Sequence, residues 1–251
     1  PGTDVWLLNA MAHVIVTEDL VDHAFVRDHT EQFESVRETV ARYTPEEAEK
    51  VTGVGAEDIR WAARRYATTT KAGIYYTLGI TEHSHGTDNV YCLANLVLMT
   101  GHLGKPSAGM NPLRGQNNVQ GACDLGGLPN VYPGYQNVTI PENKAKFEQA
   151  WGKELSGDIG LTHTEIFDAI YEGKVTALYM VGENPLLTEA NAKHVREAIE
   201  RLDFFVAQDI FISETAQLAD VILPAASFAE KEGTFTNTER RVQRVRRAIP
   251  P

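Results

Sequence analysis

The chain has 251 residues, of which 43% are hydrophobic, and its 23 Lys and Arg against 34 Asp and Glu leave a formal net charge of −11. There is enough apolar material for one large domain or two small ones with real cores, which excludes a disordered chain. A negative field of this size excludes nonspecific nucleic-acid binding and attachment to an anionic membrane, because both partners would be repelled at long range.

Thr3 and Asp4 stand where a helix cap would, before Trp6, Leu7, Ala10, Met11, Val14 and Ile15, which share one helical face. A second helix is predicted from near Val21. Thr44-Pro45-Glu46-Glu47 joins an N-cap, a proline at the first helical position and a glutamate at the third, and Gly53 stops the short helix that follows. Ala56 to Ala67 is predicted as another helix. Ala72 to Leu78 is β-branched or aromatic at Ile74, Tyr75, Tyr76 and Thr77, so it reads as a strand ending at Gly79, where a ligand can approach the backbone. Asp88 to Leu103 is the most apolar helix candidate.

The run Arg114-Gly115-Gln116-Asn117-Asn118-Val119-Gln120-Gly121-Ala122-Cys123-Asp124, continuing through Gly126-Gly127 and Pro133-Gly134-Tyr135-Gln136, follows no apolar period. One guanidinium, several amide side chains and a flexible backbone are what anion recognition needs; a long polar surface loop is the alternative reading. Beyond it, helices near Glu142–Trp151 and Thr164–Tyr171 precede strand Ala177–Val181, helix Glu189–Leu202, strand Phe204–Ala207, helix Glu214–Ala219 and strand Val221–Leu223. Short apolar strands alternating with amphipathic helices predict an α/β fold of Rossmann-like parallel-sheet units, incomplete within this chain. The predicted division is residues 1–116 as one α/β unit, 117–228 as a second, and the arginine-rich 229–251 as the start of a third domain's segment.

Three predicted strand exits carry polar groups: Gly182-Glu183-Asn184-Pro185, Gln208-Asp209 and Pro224-Ala225-Ala226-Ser227. Ligands of open parallel sheets bind outside the carboxyl ends of the strands, although turn residues occur at every strand exit. Thr188 can offer a hydroxyl and helix amides to an anionic group, and Asp209 can accept hydrogen bonds from a sugar or a guanine edge. Neither G-x-G-x-x-G nor a P-loop signature is present. His83 and His85 lack further ligands nearby for a metal, and no metal-binding residue is assigned. His102 reads either as a proton carrier or as a helix C-terminal histidine answering the dipole. The C-terminal arginines are interleaved with acidic residues, which opposes an RNA patch. The two cysteines, Cys92 and Cys123, form no C-x-x-C pair, so an iron–sulfur or zinc site is not supplied here and no disulfide is expected. No apolar run of about 18 residues is present, so no membrane insertion is expected. The chain opens on Pro1-Gly2-Thr3-Asp4 without an initiator methionine and closes on Pro250-Pro251, which reads as an internal piece of a longer protein; cytoplasmic residence is the default expectation.

Leu78-Gly79-Ile80-Thr81-Glu82-His83, Gly101-His102-Leu103-Gly104-Lys105, Asn111 to Asn118, Val181 to Pro185, Gln208 to Phe211, Ala219 to Pro224 and Glu230 to Thr234 fall in an order that resembles the molybdopterin oxidoreductase family over essentially the entire chain. The Arg114 to Gln136 run resembles its formate dehydrogenase members. That resemblance implies oxidation of formate to carbon dioxide at a molybdenum or tungsten centre held by two molybdopterin guanine dinucleotides (bis-MGD), with electrons passing to an electron-transfer subunit or carrier. It also implies that the protein metal ligand, cysteine or selenocysteine, and a [4Fe–4S] cluster belong to sequence upstream, so that this piece alone is inactive. Arg114 matches the arginine that orients formate. Leu78, Glu82, Gly115 and Gln116 match positions contacting the pterins, with methionine and glutamine in many relatives where this chain has Leu78 and Glu82. Gly182, Glu183, Asn184, Thr188, Gln208, Asp209 and Lys231 match positions that hold the other dinucleotide, Asp209 as the guanine partner. Cys123 matches a structural position. Two other readings remain open: a relative acting on another oxyanion such as nitrate, and a non-catalytic structural subunit of a respiratory complex.

Overall fold

The computed structural model describes all 251 residues. Packing divides the chain into two units, Pro1–Gly115 and Gln116–Pro251.

The first unit contains helices α1 (Asp4–Thr17), α2 (His23–His29), α3 (Phe33–Val40), α4 (Pro45–Thr52) and α5 (Ala56–Thr68), strand β1 (Gly73–Tyr76), a single helical turn α6 (Leu78–Thr81), helix α7 (Gly86–Met99) and strand β2 (Gly109–Pro112). α1 is apolar on most of its surface and so becomes the hub, packing against α3, α4, α5 and α7. Ala12, Val14 and Ile15 share a core with Val40, Ala63, Leu96 and Met99, and Ala10 meets Ala48 and Ile59 in a second cluster. α4 begins as its residues require: Thr44 accepts a hydrogen bond from the Glu47 amide at 3.3 Å, and Pro45 fills the first turn. β1 and β2 pair in parallel, Gly73 opposite Gly109 and Tyr76 opposite Pro112.

The second unit contains α8 (Val119–Asp124), a short antiparallel hairpin of β3 (Val131–Tyr132) and β4 (Gln136–Asn137), helices α9 (Pro141–Trp151) and α10 (His163–Tyr171), then β5 (Ala177–Val181), α11 (Pro185–Thr188), α12 (Ala192–Ile199), β6 (Phe204–Asp209), a 3₁₀ turn at Ala216–Leu218 and β7 (Val221–Pro224). A second antiparallel hairpin, β8 (Gly233–Thr236) with β9 (Val242–Val245), follows. β5, β6 and β7 form a three-stranded parallel sheet in sequential order. Leu178 and Met180 of β5 and Phe205 and Ala207 of β6 face Phe167 and Ile170 of α10 and Val195, Ala198 and Ile199 of α12, which together make the main core. The opposite face presents Tyr179, Val181, Val221 and Leu223, all at least 38% exposed.

Several predicted elements differ from those observed. Thr3 occupies the N-cap of α1 without a side-chain capping bond. The strand predicted over Ala72–Leu78 ends at Tyr76, opposite Pro112, and the chain turns at once into α6, so that Gly79 lies inside that turn instead of ending the strand. α7 stops at Met99, ahead of the predicted Leu103: the Thr100 hydroxyl turns back to the Leu96 carbonyl at 2.7 Å and the chain leaves through Gly101. The helix predicted over Glu189–Leu202 is shorter, Ala192–Ile199, since Asn191 caps it by accepting from the His194 amide at 3.2 Å. The helix predicted over Glu214–Ala219 tightens to one 3₁₀ turn because Asp220 is drawn into the sheet, its amide on the Phe205 carbonyl at 2.9 Å and its carboxylate on the Phe205 amide at 2.7 Å. The polar run after Arg114 is not a continuous loop, as it supplies α8 and most of the β3–β4 hairpin.

Among the carboxylates that sit below their ordinary pKa are Glu18 through its hydrogen bonds from Arg64, Glu46 through Arg60, and Glu165 through the Thr162 hydroxyl at the start of α10. A depressed folded-state pKa contributes stability that is complete above the unfolded value and is lost as pH falls through the folded one. Urea midpoints should therefore hold from neutrality to about pH 5 and decline below about pH 4. A midpoint that rises on acidification would contradict these pairings.

Candidate functional site

In the first unit, parallel pairing sends β1 and β2 out at the same end. Leu78 follows β1 by two residues and Arg114 follows β2 by two, and the Leu113 amide closes the exit on the Tyr76 carbonyl at 2.8 Å. A Cβ placed on Gly115 would lie 3.7 Å from the Leu78 side chain, so these exits are adjacent. Arg114 is exposed and makes no ion pair or hydrogen bond, leaving its whole guanidinium fork available. The structure thus brings Leu78, Arg114 and Gly115 together, with Glu82 exposed at the C-cap of α6.

The α6 turn is held from beneath by α7. A Cβ on Gly86 would stand 2.0 Å from the Thr81 carbonyl oxygen, which only a glycine permits. Asn89, 2% exposed, donates to the Ile80 carbonyl at 2.9 Å. His83 bonds the Gly79 carbonyl at 2.8 Å, and His85 lies 3.4 Å from Asp88, so both histidines serve local ties. His102 is 2% exposed with Nε2 at 3.0 Å from the Tyr66 carbonyl oxygen, a core position beyond the end of α7. Cys92 is likewise buried beside Asn9, and burial first, with Asp88 second, pushes its thiol up to about 11.

In the second unit the register places Val181 beside Gln208 and Asp209 beside Pro224, so the predicted strand exits meet along one edge. Gly182 turns with φ +67° and open space where a Cβ would be, its amide on the Gln208 carbonyl at 2.9 Å. The Gln208 side chain accepts from the Tyr179 hydroxyl at 2.5 Å. One Asp209 carboxylate oxygen accepts from the Ile210 amide at 2.6 Å, and its second oxygen has no protein donor. The Thr188 hydroxyl donates to the Asn184 carbonyl at 3.3 Å. Glu183 and Lys231 are exposed with free side chains, and Gln116, at the start of this unit, is exposed as well. Cys123 is buried in α8.

Asn184 is more constrained than its place in a turn suggests. Its Oδ1 accepts from the Thr215 amide at 3.2 Å and the Thr215 hydroxyl at 2.7 Å, and its Nδ2 donates to Glu214 at 2.7 Å. That bond from Asn184 holds the Glu214 carboxyl below the usual carboxylate range. Gly86, Asn89, Glu214 and Thr215 escape sequence reasoning because their roles are contacts with residues that carry no local pattern linking the partners. Chemically, the first group offers a bidentate cation for a small carboxylate or other oxyanion, and the second offers donors and a carboxylate suited to a nucleotide.

The molybdopterin oxidoreductase family model matches residues 1–251. The chain belongs to the molybdopterin oxidoreductase family. It is 51% identical to the F420-dependent formate dehydrogenase subunit alpha of Methanocaldococcus jannaschii over 100% of its own length and 37% of that protein's. Formate dehydrogenase H of Escherichia coli is 49% identical, again over 100% of this chain and 35% of the relative. The chain thus spans about a third of the length of these relatives. Acetylene hydratase from Pelobacter acetylenicus superposes with a TM-score of 0.75 at 23% identity, covering 100% of this chain and 37% of that structure, which establishes the shared fold. No helix is long and apolar enough to cross a membrane.

Alanine at Gly86 should collide with the α6 turn and lower stability by about 1–3 kcal/mol, read as a reduced urea midpoint. An unchanged midpoint would show that α7 does not clamp that turn.

Proposed function

We propose that this chain is the central part of a formate dehydrogenase catalytic subunit. The observation that carries the reading is Arg114: an unpaired guanidinium at the joint exit of β1 and β2, in a chain of formal charge −11, within a family whose 46–51% identical members include named formate dehydrogenases. An unpaired cation in a chain of net negative charge suits a small anion that must be gathered and oriented.

The residues fit two guanine dinucleotides of molybdopterin. Leu78, Glu82, Gly115 and Gln116 would line one pterin, and Gly182, Glu183, Asn184, Thr188, Gln208, Asp209 and Lys231 would hold the other dinucleotide, with the free oxygen of Asp209 for guanine donors. In that arrangement 1–116 and 117–228 each contribute to a dinucleotide-binding domain and 229–251 leads into a third. When bound, a molybdenum or tungsten centre would supply the two-electron acceptor for conversion of formate to carbon dioxide and one proton, and an electron-transfer partner would take the electrons onward.

Arg114 does the work this chain can contribute to the substrate. Two parallel charge-assisted hydrogen bonds from the guanidinium fix both formate oxygens, which fixes where the C–H bond points; lysine, a single point charge, would hold the anion without setting that direction. Positioning therefore comes from the protein and the redox step from the cofactor. The isolated chain is expected not to turn over formate, and formate-dependent dye reduction by it would overturn this division. In the complete enzyme, with the charged pair desolvated, Arg114→Ala should weaken formate binding by about 2–5 kcal/mol, measured as the formate KM and inhibition by formate analogues. Wild-type affinity and turnover in that variant would sink the assignment.

A further inference from the structure

The Asn184 network reaches further than one side chain. Thr215 is fully buried, at 0% exposure, yet lies 31 positions beyond Asn184 in sequence. Its hydroxyl donates to Asn184 Oδ1 at 2.7 Å and accepts from the Leu186 amide at 3.1 Å, and its own amide also donates to Asn184 Oδ1 at 3.2 Å. A carbonyl oxygen has two lone pairs, so Thr215 saturates this one. An amide donor on one side and the Glu214 carboxylate on the other leave a single possible orientation for the Asn184 carboxamide. Asn184 keeps one free Nδ2 hydrogen for anything outside. Through Leu186 the same hydroxyl satisfies an amide of the α11 turn, so one buried residue joins the exit of β5 to the segment that follows β6.

We propose that Thr215, assisted by Glu214, is a positioning residue for the nucleotide site: it fixes the Asn184 turn against the β6 exit and so sets the geometry between Asn184 and Asp209. This rests on the reading that these strand ends hold a guanine dinucleotide. Thr215 itself touches no ligand; it acts through Asn184.

The test uses the complete subunit containing this sequence, purified with cofactor, and follows guanine nucleotide per subunit and its rate of loss on dialysis, with thermal unfolding measured in parallel. Thr215→Val should speed guanine loss about tenfold, the equivalent of one buried hydrogen-bond network, and Thr215→Ser should restore retention because it keeps the hydroxyl. Asn184→Ala should match Thr215→Val, and the double variant should lose guanine no faster than the worse single, since groups acting as a unit are not additive. Should Thr215→Val fail to fold, exposed Glu214→Ala, which releases the Nδ2 anchor, is expected to speed guanine loss with an unchanged melting temperature. Additive effects in the double variant, or wild-type retention in Thr215→Val or Glu214→Ala, would overturn the proposal while leaving the nucleotide reading intact. A wild-type subunit free of guanine would overturn that reading, and the proposal with it.

Discussion

Parallel pairing forces neighbouring strands to finish at the same end of the sheet, and the site chemistry of both units depends on that constraint. With Tyr76 beside Pro112, the chain segments carrying Leu78 and Arg114 must emerge together. With Val181 beside Gln208 and Asp209 beside Pro224, the polar turns of the second unit are gathered in the same way. Backbone groups at such exits have no further ladder to join. Here they are closed locally, Leu113 on Tyr76, Gly182 on Gln208 and Ala225 on Asp209, which frees side chains rather than main chain for ligands. The scaffold thus supplies convergence without specifying chemistry, and the residues at the exits supply the chemistry.

How much of this could be read in advance varied with the range of the forces involved. α4, α5 and β5 were legible because caps, helical periodicity and apolar runs are local signals. β2 was not: Gly109-Met110-Asn111-Pro112 has little strand propensity, and only its pairing with β1 makes it a strand. The late start of α12 was hidden because an asparagine inside an amphipathic stretch looks like any polar surface residue until its side chain is seen capping the helix. Among site residues, Arg114 stood out by charge and context. Thr215 did not, since a threonine's burial and its partners across the fold leave no trace in neighbouring residues. The assignment of individual residues to pterin or guanine rests on the family resemblance, and the geometry adds which of their atoms are already engaged.

Electrostatics and packing divide the labour between the two groups of residues. At the first exit α7 fixes the α6 turn through Gly86 and Asn89, and the Leu113 amide closes on Tyr76, while the Arg114 cation itself is left without a partner. Around Asn184 the opposite holds: most of the hydrogen-bonding capacity is spent internally on Thr215 and Glu214, leaving one donor outward. A single strong charge suits a small substrate that must come and go, whereas a pre-ordered set of hydrogen-bonding contacts suits a large group that stays.

The face of the β5–β7 sheet turned away from α10 and α12 has a practical meaning for anyone handling this polypeptide by itself. Tyr179, Val181, Val221 and Leu223 form an apolar surface on an open sheet, with Val221 and Leu223 on a strand whose outer edge is unpaired within the sheet. Such a surface gains by meeting another of its kind, and salts that strengthen hydrophobic association deepen the effect. Concentration, ammonium sulfate and long storage will therefore favour clumping over monodispersity, and dilute buffers of low salting-out strength are the conditions in which this chain stays apart.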